Sequence, residues 1–168
     1  MTQTNMSRLH LAIDILGKLV AFDTTSKNSN LGLIRYVQDY LAQYDIETTL
    51  FHDETGEKAN LLATIGPKDV PGIVLSGHTD VVPALEKGWE SPAFDMTERD
   101  GKLFGRGTAD MKGFAACALA LIPELVKQDL AIPFHLCLSY DEEVGCLGVG
   151  SMVDHLAKMD HPPRLAVI

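Results

Sequence analysis

Ile73-Val74-Leu75-Ser76-Gly77-His78-Thr79-Asp80 runs from an apolar stretch into a Ser-Gly break, and a His and an Asp follow at once. A short apolar run bounded by turn residues reads as a buried strand, and open α/β sheets place their ligands at the carboxyl ends of such strands. If the chain stays extended through Thr79, residues two apart point to the same side, so the His78 imidazole and the Asp80 carboxylate are expected to converge. A metal-binding His is steadied by a carboxylate in that way. Taken alone, the triplet reads better as a cap or a polar turn, so its meaning depends on what the rest of the chain brings beside it.

Upstream, Leu9, Ile13, Leu16 and Val20 recur at helical spacing and predict an amphipathic helix from Ser7 to about Ala21. The polar run Asp23-Thr24-Thr25-Ser26-Lys27-Asn28-Ser29-Asn30 breaks it. A second helix follows, with Ile34, Val37 and Leu41 inward and Arg35, Gln38 and Asp39 outward. Strands are expected over Ile46 to Phe51 and Asn60 to Ile65, joined as a hairpin through Asp53-Glu54-Thr55-Gly56.

Downstream, residues 81–105 read as a long loop with a hairpin turning at Arg99-Asp100-Gly101. Trp89, the single tryptophan, is either a substrate wall or a shield over that loop. Gly105-Arg106-Gly107-Thr108-Ala109-Asp110-Met111-Lys112-Gly113 then opens a helix running to about Val126, shortened or kinked by Pro123. Locally, Asp110 reads as the cap of that helix, where N–H groups and the dipole favour an anion. Ile132 to Ser139 is another buried strand, and Tyr140-Asp141-Glu142-Glu143 follows its carboxyl end. Ser151 is expected to cap a short helix to about Met159, and Arg164 to Ile168 begins a last strand. The fold class is therefore α/β: a three-layer, mixed and mostly parallel sheet with helices on both faces.

A formal charge of −9, from 23 acidic against 14 basic residues, argues against nucleic-acid or anionic-membrane partners, which need basic patches. No apolar run reaches the roughly 18 residues of a membrane span, and the polar start Met1 to Ser7 is unlike a signal core. A cytoplasmic protein is expected. Cys117, Cys137 and Cys146 are scattered, without a Cys-x-x-Cys pair, and read as reduced thiols in core segments, with Cys146 set apart by its place near the acidic cluster. His10, His52, His155 and His161 read as solvent-exposed, and His135 as an edge-facing or partnered core histidine.

Three separate strand ends or loops thus supply His78 with Asp80, Asp110, and Glu142 with Glu143. Imidazole and carboxylate together form a ligand set for zinc or a similar divalent ion, and a lone Asp between two such groups can bridge a pair of ions. Of two adjacent glutamates, one can bind metal while the other accepts a proton from the attacking water. On chemistry alone the chain reads as a hydrolase.

Ser76-Gly77-His78-Thr79-Asp80-Val81-Val82-Pro83, Gly105 to Gly113 and Asp141-Glu142-Glu143 resemble, in order and spacing, the dinuclear zinc amidohydrolases of the M20 peptidase family. Within it, the runs Gly107 to Gly113 and Ser139 to Gly148 are most similar to deacetylases of N-acetylated amino acids. The resemblance implies that His78 binds one zinc, Asp110 bridges two, Glu143 binds the second, Asp80 orients His78, and Glu142 is the general acid/base. Cobalt is a possible substitute ion. The implied substrate is a small N-acylated amino acid, with desuccinylase, aminoacylase and dipeptidase members as rivals, and the implied full-length protein is a homodimer. The family also implies an acidic ligand in a Gly-Glu-Pro segment after the last strand, a distant metal-binding His, and a lid domain for dimerisation. These 168 residues contain none of them. The chain is accordingly expected to be the N-terminal part of a metallohydrolase catalytic domain, with some core surface unsealed. A non-catalytic domain with an incomplete metal site is the rival of a different class.

Overall fold

The computed structural model describes residues 7–84 and 88–168. Its elements are α1 (Arg8–Val20), α2 (Leu31–Ala42), β1 (Thr48–His52), β2 (Ala59–Ile65), β3 (Ile73–His78), β4 (Thr97–Arg99), β5 (Lys102–Phe104), α3 (Lys112–Leu125), β6 (Phe134–Ser139), α4 (Gly150–Ala157) and β7 (Leu165–Val167). Five strands form one sheet in the order β1-β2-β6-β3-β7, and β4 and β5 form a separate hairpin. The sheet is mixed. β1, β2 and β6 pair antiparallel, whereas β3 runs parallel to both β6 and β7.

Side-chain alternation sorts each strand between two cores. Leu61, Ala63, Leu136 and Leu138 face the layer of α1, α2 and α3, meeting Leu19, Val20, Ile34, Leu41 and Leu119. Leu62, Val74 and Cys137 face the opposite side and are covered by Met152 of α4. Helices therefore lie on both faces, as expected for the three-layer α/β class. Burying each large aliphatic side chain contributes about 1.5–3 kcal/mol before entropy is counted.

Several local expectations shift. In α1 the buried set is Ile15, Leu16, Leu19 and Val20. Leu9 is exposed, because the first turn lies beside an open groove lined by Cys117 and Leu121 rather than over the sheet. Cys117 is likewise exposed, on the outer side of α3, whereas Cys137 is buried. Ser151 does not cap α4: the cap position is Val149, without a side-chain hydrogen bond. His161 is half-buried, while His10, His52 and His155 are exposed. The turn between β4 and β5 is as read, with Asp100 and Gly101 both in the left-handed region that a two-residue hairpin favours. At the far edge, β7 leaves Leu165, Val167 and Ile168 exposed. Among the described residues no helix is long and apolar enough to cross a membrane.

His135 proves to be a core histidine with one partner among the described residues. It is buried, with Nδ1 3.0 Å from the Thr64 hydroxyl and no hydrogen-bond partner at Nε2. Burial pushes its pKa below the ordinary 6.5, so the folded state holds it neutral and the unfolded state takes up the proton first. Its contribution to stability is present above pH 6.5 and is lost as pH falls towards the lower folded value. The slope approaches about 1.4 kcal/mol per pH unit for one proton. Urea unfolding of the parent and of His135→Gln across pH 5–8 should show a flatter curve for the variant below pH 6.5. Parallel curves would place the acid sensitivity elsewhere.

Candidate metal centre

The site is assembled by strand pairing. β3 and β6 are parallel and in register from Ile73 opposite Phe134 to His78 opposite Ser139, so both chains leave the sheet at the same edge. The Thr79 N–H donates to the Ser139 carbonyl at 2.8 Å, and the Thr79 hydroxyl donates to the same oxygen at 2.8 Å. These bonds tie the first residue past β3 to the last residue of β6. Asp80 and Glu142 consequently come together although 62 residues apart in sequence.

His78 is buried, and its Nδ1 lies 2.9 Å from the Asp80 main-chain carbonyl. A carbonyl only accepts, so Nδ1 carries the hydrogen. The Asp80 carboxylate stands farther off, with Oδ1 3.6 Å from Nδ1. The expected side-chain contact is thus largely replaced by a backbone one, because β3 ends at His78 and strand alternation does not extend to Asp80. The Asp80 carboxylate instead accepts from the Ser26 hydroxyl at 2.7 Å and from the N–H groups of Glu142 and Glu143 at 3.1 and 3.2 Å. Burial alone would raise its pKa. His78, Ser26 and the two N–H groups outweigh burial and hold the carboxyl below its usual range.

With Nδ1 committed, Nε2 of His78 faces acceptors. Asp110 Oδ1 is 3.1 Å away and Glu142 Oε2 3.7 Å away. A lone pair pointed at two carboxylates needs a positive charge between them, either a proton or a cation. Burial pulls the His78 pKa down, but hydrogen bonds to Asp80 and Asp110 overcome it and raise the value to about 9.

Asp110 reaches this position from the loop before α3. Gly107 is in the left-handed region, and a side chain there would collide with Val81. The Lys112 N–H closes the loop onto the Gly107 carbonyl at 2.9 Å. The buried Lys112 ammonium donates to the Phe22 carbonyl at 2.8 Å. The helix starts at Lys112 with Met111 in the cap position and no side-chain cap bond, so Asp110 lies outside the helix with an exposed side chain free to point at His78. The cap reading of Asp110 is overturned, because the cap position falls one residue later, at Met111.

Glu143 completes the cluster. One ligand atom each from His78, Asp110 and Glu143 lies within 4.8 Å of the others. Burial, followed by the nearby Asp110, Asp80 and Glu142 charges, raises the Glu143 pKa. Carboxylates crowded round an imidazole lone pair are a donor set that fits a divalent metal. Glu142 stays outside the three. Its Oε1 has the Cys146 thiol at 3.6 Å, and its Oε2 faces the cluster. Trp89, half-buried, lies under the Arg106 guanidinium at 5.2 Å from the ring centroid, stacked within its own loop.

Residues 74–167 match the model of peptidase family M20/M25/M40. The chain belongs to this family. All five site residues named from the sequence fall inside the matched segment. Within the curated part of the family, the chain is 34% identical over 157 residues to the acetylornithine deacetylase of Pasteurella multocida, covering 89% of this chain and 41% of that protein. It is 40% identical over 112 residues to a probable succinyl-diaminopimelate desuccinylase of Staphylococcus epidermidis, covering 66% of this chain and 27% of that protein. Among solved structures, human carnosine dipeptidase 1 superposes with a TM-score of 0.77 at 24% identity, over 95% of this chain and 38% of that one. That likeness concerns the fold. The chain spans about two fifths or less of the length of these relatives.

Sequence reasoning passed over Ser26, Asn30 and Lys58. They lie in or beside polar stretches whose composition is that of any loop, yet Asn30 ties the Ala59 backbone to the Thr79 hydroxyl. Lys58 pairs with Asp141 at 2.6 Å.

Proposed function

We propose that this chain supplies the metal-binding and proton-transfer half of an amidohydrolase that removes the acyl group from an N-acylated amino acid, with N2-acetyl-L-ornithine as substrate and L-ornithine and acetate as products. The observation that carries the reading is the His78 Nε2 lone pair aimed at carboxylates, within one cluster with Asp110 and Glu143. These three residues would hold the metal, zinc or in its place cobalt, and Asp110 has a second oxygen to share with a second ion. A bound divalent ion polarises the amide carbonyl and makes water more acidic. Glu142 takes a proton from the water whose oxygen attacks the amide carbon. As the C–N bond breaks, Glu142 returns that proton to the leaving amine. Asp80 holds His78 through its carbonyl and the two glutamates through its carboxylate.

The deacetylase is preferred because the likeness to that relative extends over 157 residues, against 112 for the desuccinylase. The 40% identity to the desuccinylase over its shorter match keeps N-succinyl-diaminopimelate as the second reading. N-acetylornithine, N-succinyl-diaminopimelate and a dipeptide, offered with zinc to the longest natural form of the protein, discriminate between them. Turnover of the first alone is expected. A preference for either of the others would overturn the substrate, and metal content below one ion per chain would overturn the site.

A further inference from the structure

The Ser26 hydroxyl lies far from the cluster in sequence, yet it is buried and donates to Asp80 Oδ2 at 2.7 Å. The same oxygen accepts from the Glu143 N–H, and Oδ1 accepts from the Glu142 N–H. The Ser26 carbonyl is held as well, by the Lys58 ammonium, which also pairs with Asp141. One residue is therefore bound twice to the turn that carries the two glutamates, once through Asp80 and once through Lys58. Its own backbone is anchored to the segment just past β3, since the Ser26 N–H donates to the Val81 carbonyl and the Val81 N–H to the Thr24 carbonyl. Asp141 adopts the left-handed region at φ 56°, so the turn has an uncommon conformation that depends on such outside partners.

We infer that Ser26 is a positioning residue: its hydroxyl orients the Asp80 carboxylate, which holds the backbone of Glu142 and Glu143 so that one glutamate joins the metal cluster and the other stays beside it. The function assigned to those glutamates rests on the reading above, but the clamp itself is a property of the metal-free chain. Without the Ser26 donor, Asp80 is free to rotate, and the two N–H groups lose a fixed acceptor. Lys58 forms the second arm, so the two arms act on the same turn from opposite ends.

Amide hydrogen exchange by NMR on the metal-free 168-residue chain reads the clamp directly. Ser26→Ala should speed exchange at the Glu142 and Glu143 amides about fivefold, as the loss of one buried hydrogen bond implies, while Leu61 and Leu138 in the sheet stay at parental rates. Ser26→Thr, which keeps the hydroxyl, should exchange as the parent does. Lys58→Met, read at the same amides, should also speed them and serves if the alanine variant does not fold. Cobalt affinity, followed by the visible spectrum of the ion, should fall about 10–100-fold in Ser26→Ala, the range for loss of an outer hydrogen-bond partner. Unchanged exchange at Glu142 and Glu143 in a folded Ser26→Ala or Lys58→Met chain would overturn the inference, as would a threonine variant as fast as the alanine one. If the parent binds no cobalt while its amides still respond to Ser26→Ala, the metal reading fails and the clamp stands.

Discussion

Glu142→Gln is expected to leave metal uptake unchanged and to lower kcat about 10²–10⁴-fold, the usual contribution of a positioned acid/base group. In free-energy terms this is about 2.7–5.5 kcal/mol of barrier. The selectivity of the effect follows from where Glu142 stands. It lies outside the group of ligand atoms that His78, Asp110 and Glu143 bring together, so removing its charge takes no ligand from the ion. Its main chain is held by the Asp80 carboxylate, an interaction that a change of side chain does not touch. Gln matches Glu in shape and keeps one acceptor oxygen, but its amide cannot take a proton from water and return it to the leaving nitrogen.

The kinetic signature separates this role from others. A group that acts only in the transition state lowers kcat and kcat/KM together, whereas one that merely binds substrate raises KM. Steady-state kinetics of Glu142→Gln on N-acetylornithine, with metal counted by elemental analysis, therefore distinguishes the two roles. Near-parental turnover would remove Glu142 from the proton-transfer role, and a loss of bound metal would make it a ligand instead.

The strands that deliver the site were legible because their chemistry is local. An apolar run ending in Ser76-Gly77 and another ending at Ser139 each announce a buried strand with polar residues past its end, and parallel register then aligns the two ends without further information. The helix after Gly113 was legible too, but its start was not. Spacing cannot separate a helix that begins at Asp110 from one that begins at Lys112, since the difference is made by a buried ammonium reaching a carbonyl 90 residues away. The role of Asp80 was blurred for a related reason. Alternation holds only while the strand lasts, and β3 stops at His78, so main chain rather than side chain meets the imidazole. Ser26 and Lys58 were beyond reach altogether, because a serine in a polar run and a lysine after a turn look alike whether they face water or a buried carboxylate.

Asp110→Ala should abolish metal binding, lowering affinity at least about a hundredfold, beyond the 10–100-fold typical of losing an outer-shell partner. Asp110 supplies one of the three ligand atoms and is the nearest carboxylate to the His78 lone pair. Near pH 10, where the His78 imidazole has lost its extra proton, the same substitution should leave the metal-free chain about as stable as the parent, within about 0.5 kcal/mol, as for exposed positions without a cap role; at lower pH it also removes the contact to the protonated imidazole. That expectation follows from the helix beginning at Lys112 without a side-chain cap; were Asp110 the cap, its loss would cost about 1 kcal/mol with or without metal. Ligand linkage makes the two cases separable in a single instrument. A metal present at a hundredfold excess over its Kd stabilises the native state by about 2.7 kcal/mol, which appears as a rise in Tm. The parent should show that rise with zinc and with cobalt, and Asp110→Ala should show none while sharing the parent's metal-free Tm near pH 10, where the His78 contact no longer counts. A variant that keeps the metal-induced rise would exclude Asp110 as a ligand, and a lower metal-free Tm near pH 10 would restore the helix-cap role that the geometry denies it.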